Sequence, residues 1–148
     1  MKFSLQSVLD VRHSRLEAVE LEMARAQAVR AQQAAALTAL EEKRAGLLGD
    51  LHRLQNRRTL DLGALTFTRN TLTRTEREIH DQRIRLAEAE AQVERVREAL
   101  IAAKQAEETL LALKEKAEEA EVREQNRLAE AEVDDLNIAR AFRKTREA

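Results

Sequence analysis

From Leu5 onward, positions alternately four and three residues apart carry a frame that never slips: Leu5, Leu9, Arg12, Leu16, Val19, Met23, Ala26, Arg30, Gln33, Leu37, Leu40, Arg44, Leu47, Leu51, Leu54. Eleven of these fifteen positions are apolar, and the run of more than six heptads exceeds the three or four that mark a coiled coil. So narrow an apolar stripe cannot be buried within its own helix; it needs a second helix beside it. The other residues close the remaining routes. There is no Pro and no Cys, Gly occurs three times, and 36% of the 148 residues are charged. Strong helix formers with few breakers give long helices. Three Phe cannot fill a compact core, so the buried surface is a seam. The regular spacing of Leu, Ile and Val argues against disorder.

Helix one is expected over residues 4–57, with Ser4 as N-cap and Phe3 stapled toward Val8. The stretch RRTLDLGALTFTRNTLTRT then interrupts the helix formers. It reads as a tight turn at 58–64, with Asp61 or Thr59 as the cap of the second helix. A second frame runs Leu65, Leu72, Ile79, Leu86, Val93, Leu100 on one row and Ala89, Val96, Ala103, Leu110, Ala117 on the other. Helix two is expected over 65–142, with a change of phase around Glu107 to Glu124. At 1.5 Å per residue the helices measure roughly 80 and 115 Å. The fold class is all-α: one domain over 1–148, an antiparallel two-helix coiled-coil hairpin whose longer second helix overhangs at the C-terminal end.

A turn at 58–64 makes residues summing to about 123 face each other. Arg44 then lies near Glu76 and Glu78, Arg30 near Glu90 and Glu94, and Arg12 near Glu107 and Glu108. Phe3, Leu5 and Leu9 clamp the open end against Leu110, Leu111, Leu113 and Ala117. Beyond about residue 120 helix two has no intramolecular partner.

Net charge is −1, which gives the whole molecule no bulk attraction to nucleic acid or anionic membrane. The charge is polarised, however. Residues 53–85 hold eight Arg against four acids, 101–135 hold five basic against eleven acidic residues, and 136–148 hold four basic against one acidic. Arg57, Arg58, Arg69, Arg74, Arg77, Arg83 and Arg85 cluster at the turn end. Glu76, Glu78 and Asp81 lie among them with only Phe67 as an aromatic, so no nucleic-acid partner is expected. An acidic overhang with spaced apolar residues, Leu128, Leu136, Ile138 and Phe142, reads as a docking surface. No apolar run approaches the ~20 residues of a membrane span, so no direct membrane insertion is expected. The absence of Cys suits the cytoplasm and removes Cys-based metal sites. His13, His52 and His80 are isolated, and neither a metal motif nor a nucleotide loop nor a catalytic triad occurs. The expectation is no catalytic residue, no metal, no cofactor and no enzyme.

The opening Phe3-x-Leu5-x-x-Val8-Leu9-Asp10-Val11-Arg12 resembles that of the FliJ family, soluble components of the flagellar type III export apparatus. The middle Ile79-x-x-Gln82-x-x-x-Leu86 is similar to that family's helix-two start. The closing Val133-Asp134-Asp135-Leu136, followed by Arg140 and Arg143, resembles its acidic-pair ending, usually Asp-Glu. The resemblance implies a stalk like the central shaft of rotary ATPases, cytoplasmic and held at the inner membrane through the export apparatus. Its paired ends would sit in the hole of the export ATPase hexamer, through Leu128, Leu136, Ile138, Phe142, Arg140 and Arg143. Its turn end would meet the cytoplasmic domain of the export gate through Leu72, Ile79 and His80. It would also escort export chaperones in flagellum assembly and motility. The stalk of a virulence injectisome, a rotary-ATPase stalk subunit, and a structural scaffold assembling through the overhang stand as alternatives.

Overall fold

A computed structural model describes residues 3–147. Among them the chain forms two helices, α1 (Gln6–Gln55) and α2 (Leu62–Glu147), and no strand. The two helices pack against each other, as the heptads require, and the fold is an all-α helical hairpin.

Each helix begins on a local signal. At α1 the Gln6 amide donates to the Phe3 carbonyl at 3.0 Å, and Leu9 makes the first helical bond, to Leu5, at 2.9 Å. Leu5 rather than Ser4 therefore holds the cap position, because a backbone turn already satisfies an amide that Ser4 was expected to serve. At α2 the Ala64 amide donates to Asp61 Oδ1 at 3.0 Å while the Leu65 amide donates to the Asp61 carbonyl. Asp61 is thus the N-cap. The connection occupies 56–61, so α2 starts three residues before the expected Leu65 and continues past 142.

The chain divides into two compact units, one of Glu17–Ala102 and one of the residues up to Leu16 with those from Ala103 onward. In the first, α1 leads into the connection and α2 returns antiparallel beside it. Val19, Thr75 and Ile79 are its most completely buried side chains. The row expected from Ala89 continues backward in heptads through Gln82, Thr75 and Thr68, all buried. Those polar residues escaped the apolar count. Thr75 fits because its hydroxyl donates to the Thr71 carbonyl of its own helix at 2.8 Å, leaving its methyl group for the seam.

Gln82 sets the register. Its Nε2 donates to the Gln33 backbone carbonyl at 3.0 Å and to Gln33 Oε1 at 2.6 Å. The expected register places Gln33 opposite Glu90; Gln33–Gln82 and Arg12–Ala106 fall about eight and five residues short of it, while Glu41–Arg83 keeps it. A shift of one heptad would return every apolar position to the seam, so hydrophobicity by itself does not fix the register. Arg30 does share a surface crevice with Glu90 and Glu94, but Glu94 pairs with Arg97 of its own helix at 3.0 Å. The Arg83–Glu41 pair, at 3.6 Å, spans the two helices.

Gly46 and Gly49 lie inside α1, and a Cβ added at either meets nothing within 4 Å. Neither has a positive φ. Gly46→Ala and Gly49→Ala should each stabilise the helix by about 1 kcal/mol, the helix-propensity difference between the two residues. Thermal melts followed by circular dichroism will check this; a lowered midpoint would show that the glycines serve a purpose other than filling the helix.

In the second unit Leu9, Ala103 and Leu110 are buried. Arg12 donates to the Ala106 carbonyl at 2.9 Å instead of pairing with Glu107 or Glu108. His13 Nδ1 lies 3.2 Å from Glu107 Oε2 in its place. Glu107, Lys114, Ala117 and Glu121 are half-buried on the two rows set at Leu65 and Ala89. No change of phase occurs. Leu111 and Leu113, whose density suggested one, stand at flanking positions and are exposed. From Val122 to Glu147 every residue is exposed, a single helix of about 39 Å.

Candidate partner-binding surfaces

The rows that form the seam do not stop where burial stops. Counted in heptads from Leu65, one row reaches Leu128, Asp135 and Phe142; the other reaches Ala131 and Ile138. Leu128, Ile138 and Phe142 are 51–67% exposed. This stretch of α2 therefore carries the apolar stripe of a coiled coil with nothing against it. The Arg146 guanidinium sits 5.5 Å from the centre of the Phe142 ring, the range of a cation–π contact. Glu124, on the same face, takes two bonds from Arg127, at 3.0 and 2.7 Å. The adjacent guanidinium holds the Glu124 carboxyl below its ordinary pKa, and the carboxylate raises that of Arg127.

A second stripe lies on the other side of the same helix. Val122, Ala129, Val133 and Leu136 are exposed and point about 150° away from the first stripe, at 100° per residue. Leu136 thus belongs to a different face from Leu128, Ile138 and Phe142. Arg140 and Arg143 flank it there. The sequence carried a signal for this second face, since Val122 and Val133 recur with Leu136 at helical spacing, but a search confined to the seam rows passes over it.

The three residues proposed for an export-gate contact do not share a surface. Ile79 is 2% exposed and fully committed to the seam; Leu72 is half-buried beside it. Only His80 is exposed, lining a shallow surface groove with Thr73, Glu76, Arg77 and Asp81. A residue at a seam position cannot also face a partner, and Ile79 stands on the seam row. Near the connection, Leu60, Leu62 and Phe67 are exposed instead.

The proposed clamp is narrower than expected. Leu9 and Leu110 are its buried pair, and Phe3 is half-buried. Leu5 and Leu113 are 40% and 44% exposed, so they fall outside it. Leu5 holds the cap position, where the chain has not yet entered the helical path that would turn its side chain inward.

Among the described residues no three His, Cys, Asp or Glu side chains come together as metal ligands. No described helix is long and apolar enough to cross a membrane. Comparisons with curated proteins and with solved structures gave no match. A family model described as the flagellar FliJ protein does match, over residues 1–146. With the all-α hairpin, the opening motif and the acidic pair already in view, that match over nearly the whole chain shows that the protein belongs to the FliJ family, coiled-coil structural components associated with flagellar type III export.

Proposed function

We propose that this chain is the central stalk of the export ATPase ring, that it couples the ring to the export gate, and that it escorts export chaperones. It does no chemistry of its own in this reading. It is cytoplasmic and reaches the inner membrane only through the export apparatus. The observation that carries the ATPase contact is the two-sided end of α2. A partner helix lying along one face would cover Leu128, Ile138 and Phe142 and leave Val122, Val133 and Leu136 in water. Exposed apolar area costs about 25 cal/mol for each Å² left uncovered, so two opposed stripes favour a partner that surrounds the helix. The lumen of a hexameric ring is such a partner.

The gate contact rests on less surface. His80, with Arg77 in the same shallow groove, forms the candidate patch, while Leu72 and Ile79 hold the helix that presents it.

Deleting the chain after Glu121 removes both stripes and no buried residue. The truncated protein should keep its hairpin helicity and lose binding to the export ATPase in a pull-down with purified proteins. Binding that survives the deletion would place the ATPase contact elsewhere on the molecule.

A further inference from the structure

Thr38, Thr71, Thr73, Thr75, Thr109 and Thr145 each donate their hydroxyl to the carbonyl four residues back on their own helix. Thr68 does not. It stands one heptad before Thr75 on the same seam row and is only 7% exposed, yet its hydroxyl meets no partner among the described residues. No side-chain polar atom among them is both sealed from solvent and unpaired, so the Thr68 hydroxyl opens outward. It opens on a surface crevice that Thr68 lines together with Asp50, Arg53, Leu54 and Arg57, where the chain leaves α1 and returns in the first turns of α2. We infer that this crevice binds one carboxylate of a protein partner, an Asp or Glu side chain or a chain end, held by the Thr68 hydroxyl and the Arg57 guanidinium.

The chemistry follows from what the lining leaves unmatched. A buried hydroxyl without a partner is costly, and a ligand that accepts its proton removes that cost. Arg53 already pairs with Asp50 of its own helix, whereas Arg57 pairs with no acid among the described residues. A hydroxyl donor beside an unpaired guanidinium suits an oxyanion; a cation would face two arginines. Charge selects among oxyanions. Asp50, Arg53 and Arg57 together carry a single positive charge, which one carboxylate neutralises. A phosphate dianion would leave excess negative charge beside Asp50. The other arginines of residues 57–85 attract acids without direction, and Thr68 adds a directed bond. The crevice shares no residue with the His80 groove, so the inference stands apart from the gate and ATPase contacts.

The test titrates acetate into the full-length chain, exchanging it for chloride at constant ionic strength. NMR follows the amides of the residues lining the crevice and the Arg Nε–H signals. Both sets should shift and saturate. Thr68→Val keeps the shape of the side chain and the charge of the crevice, and should bind acetate about tenfold more weakly. Thr68→Ser, which keeps the hydroxyl, should bind within about twofold of wild type. Arg57→Gln should weaken binding at least as much as Thr68→Val. Arg58→Gln, next to it but outside the crevice, should stay within about twofold of wild type. In chloride alone Thr68→Val should melt no lower than wild type, because the hydroxyl it removes has no partner in the hairpin.

A Thr68→Val chain that binds acetate as wild type does would overturn the inference, since general attraction by arginines would then suffice. A lowered midpoint for that variant in chloride would overturn it too, by showing a hydroxyl already satisfied. Tighter binding of phosphate than of acetate would overturn the choice of a carboxylate.

Discussion

Replacing Gln33 and Gln82 together by leucine should make the protein more stable and less certain of its own register. Gln82 is 5% exposed and gives both of its amide hydrogens to Gln33 across the seam. Two leucines there would bury more apolar surface and need no hydrogen bonds, a gain of about 1–3 kcal/mol. What they remove is the hydrogen-bonded contact in the middle of the seam that favours the observed pairing over its neighbour, leaving the exposed Arg83–Glu41 pair, worth at most about 1 kcal/mol. A shift of one heptad keeps every apolar position inside and needs only a bend centred three or four residues further along, where Thr59, Leu60 and Gly63 offer no strong resistance. The Asp61 cap, worth about 1 kcal/mol, and that surface pair are then what oppose the shift.

The absence of native cysteine makes this measurable. Spin labels on Arg25→Cys and Gln92→Cys stand beside one crevice between the helices. Wild type should give a single distance. The double leucine variant should melt higher and add a second population, because a heptad slip displaces one helix by about 10 Å. An unchanged single distance would mean that the bend sets the register without help from the glutamines.

Ile79→Ala is the substitution with the largest expected loss of stability. Ile79 is the largest of the fully buried side chains, and shortening it to alanine leaves a cavity between two helices that have little else to close it. Such replacements cost about 2–5 kcal/mol, out of the 5–15 kcal/mol typical of a whole domain. Urea unfolding should show the midpoint falling by a large fraction. His80→Ala, next door but exposed, should stay within about 0.5 kcal/mol of wild type. The pair separates two effects that a binding assay alone would merge. His80→Ala tests the export-gate contact on a stable hairpin, whereas Ile79→Ala weakens any contact only by loosening the helix that presents it. Should Ile79→Ala leave stability untouched, the seam would not run where burial puts it.

The rows that fill the seam could be read from residue types alone. Every position of the first frame from Leu9 to Leu54, apart from Arg30, is buried or half-buried, because a 3.5-residue repeat can be satisfied by one helix face only. Asp61 as cap, two helices and an unpaired end of α2 were equally legible, since each depends on residues near in sequence. Thr68, Thr75 and Gln82 were hidden by their polarity, although the heptad count from Ala89 lands on all three. The phase change proposed near Leu111 and Leu113 failed for the converse reason: apolar residues at flanking positions mimic a shifted seam.

Tertiary structure alone decided in which register the helices pair. Periodicity is unchanged by a slip of seven residues, so the choice falls to the Gln33–Gln82 amides, the Arg83–Glu41 pair and the Asp61 cap. It likewise decided that Gln82 is core, because a polar side chain is buried only where the other helix supplies its hydrogen-bond partners, here both from Gln33.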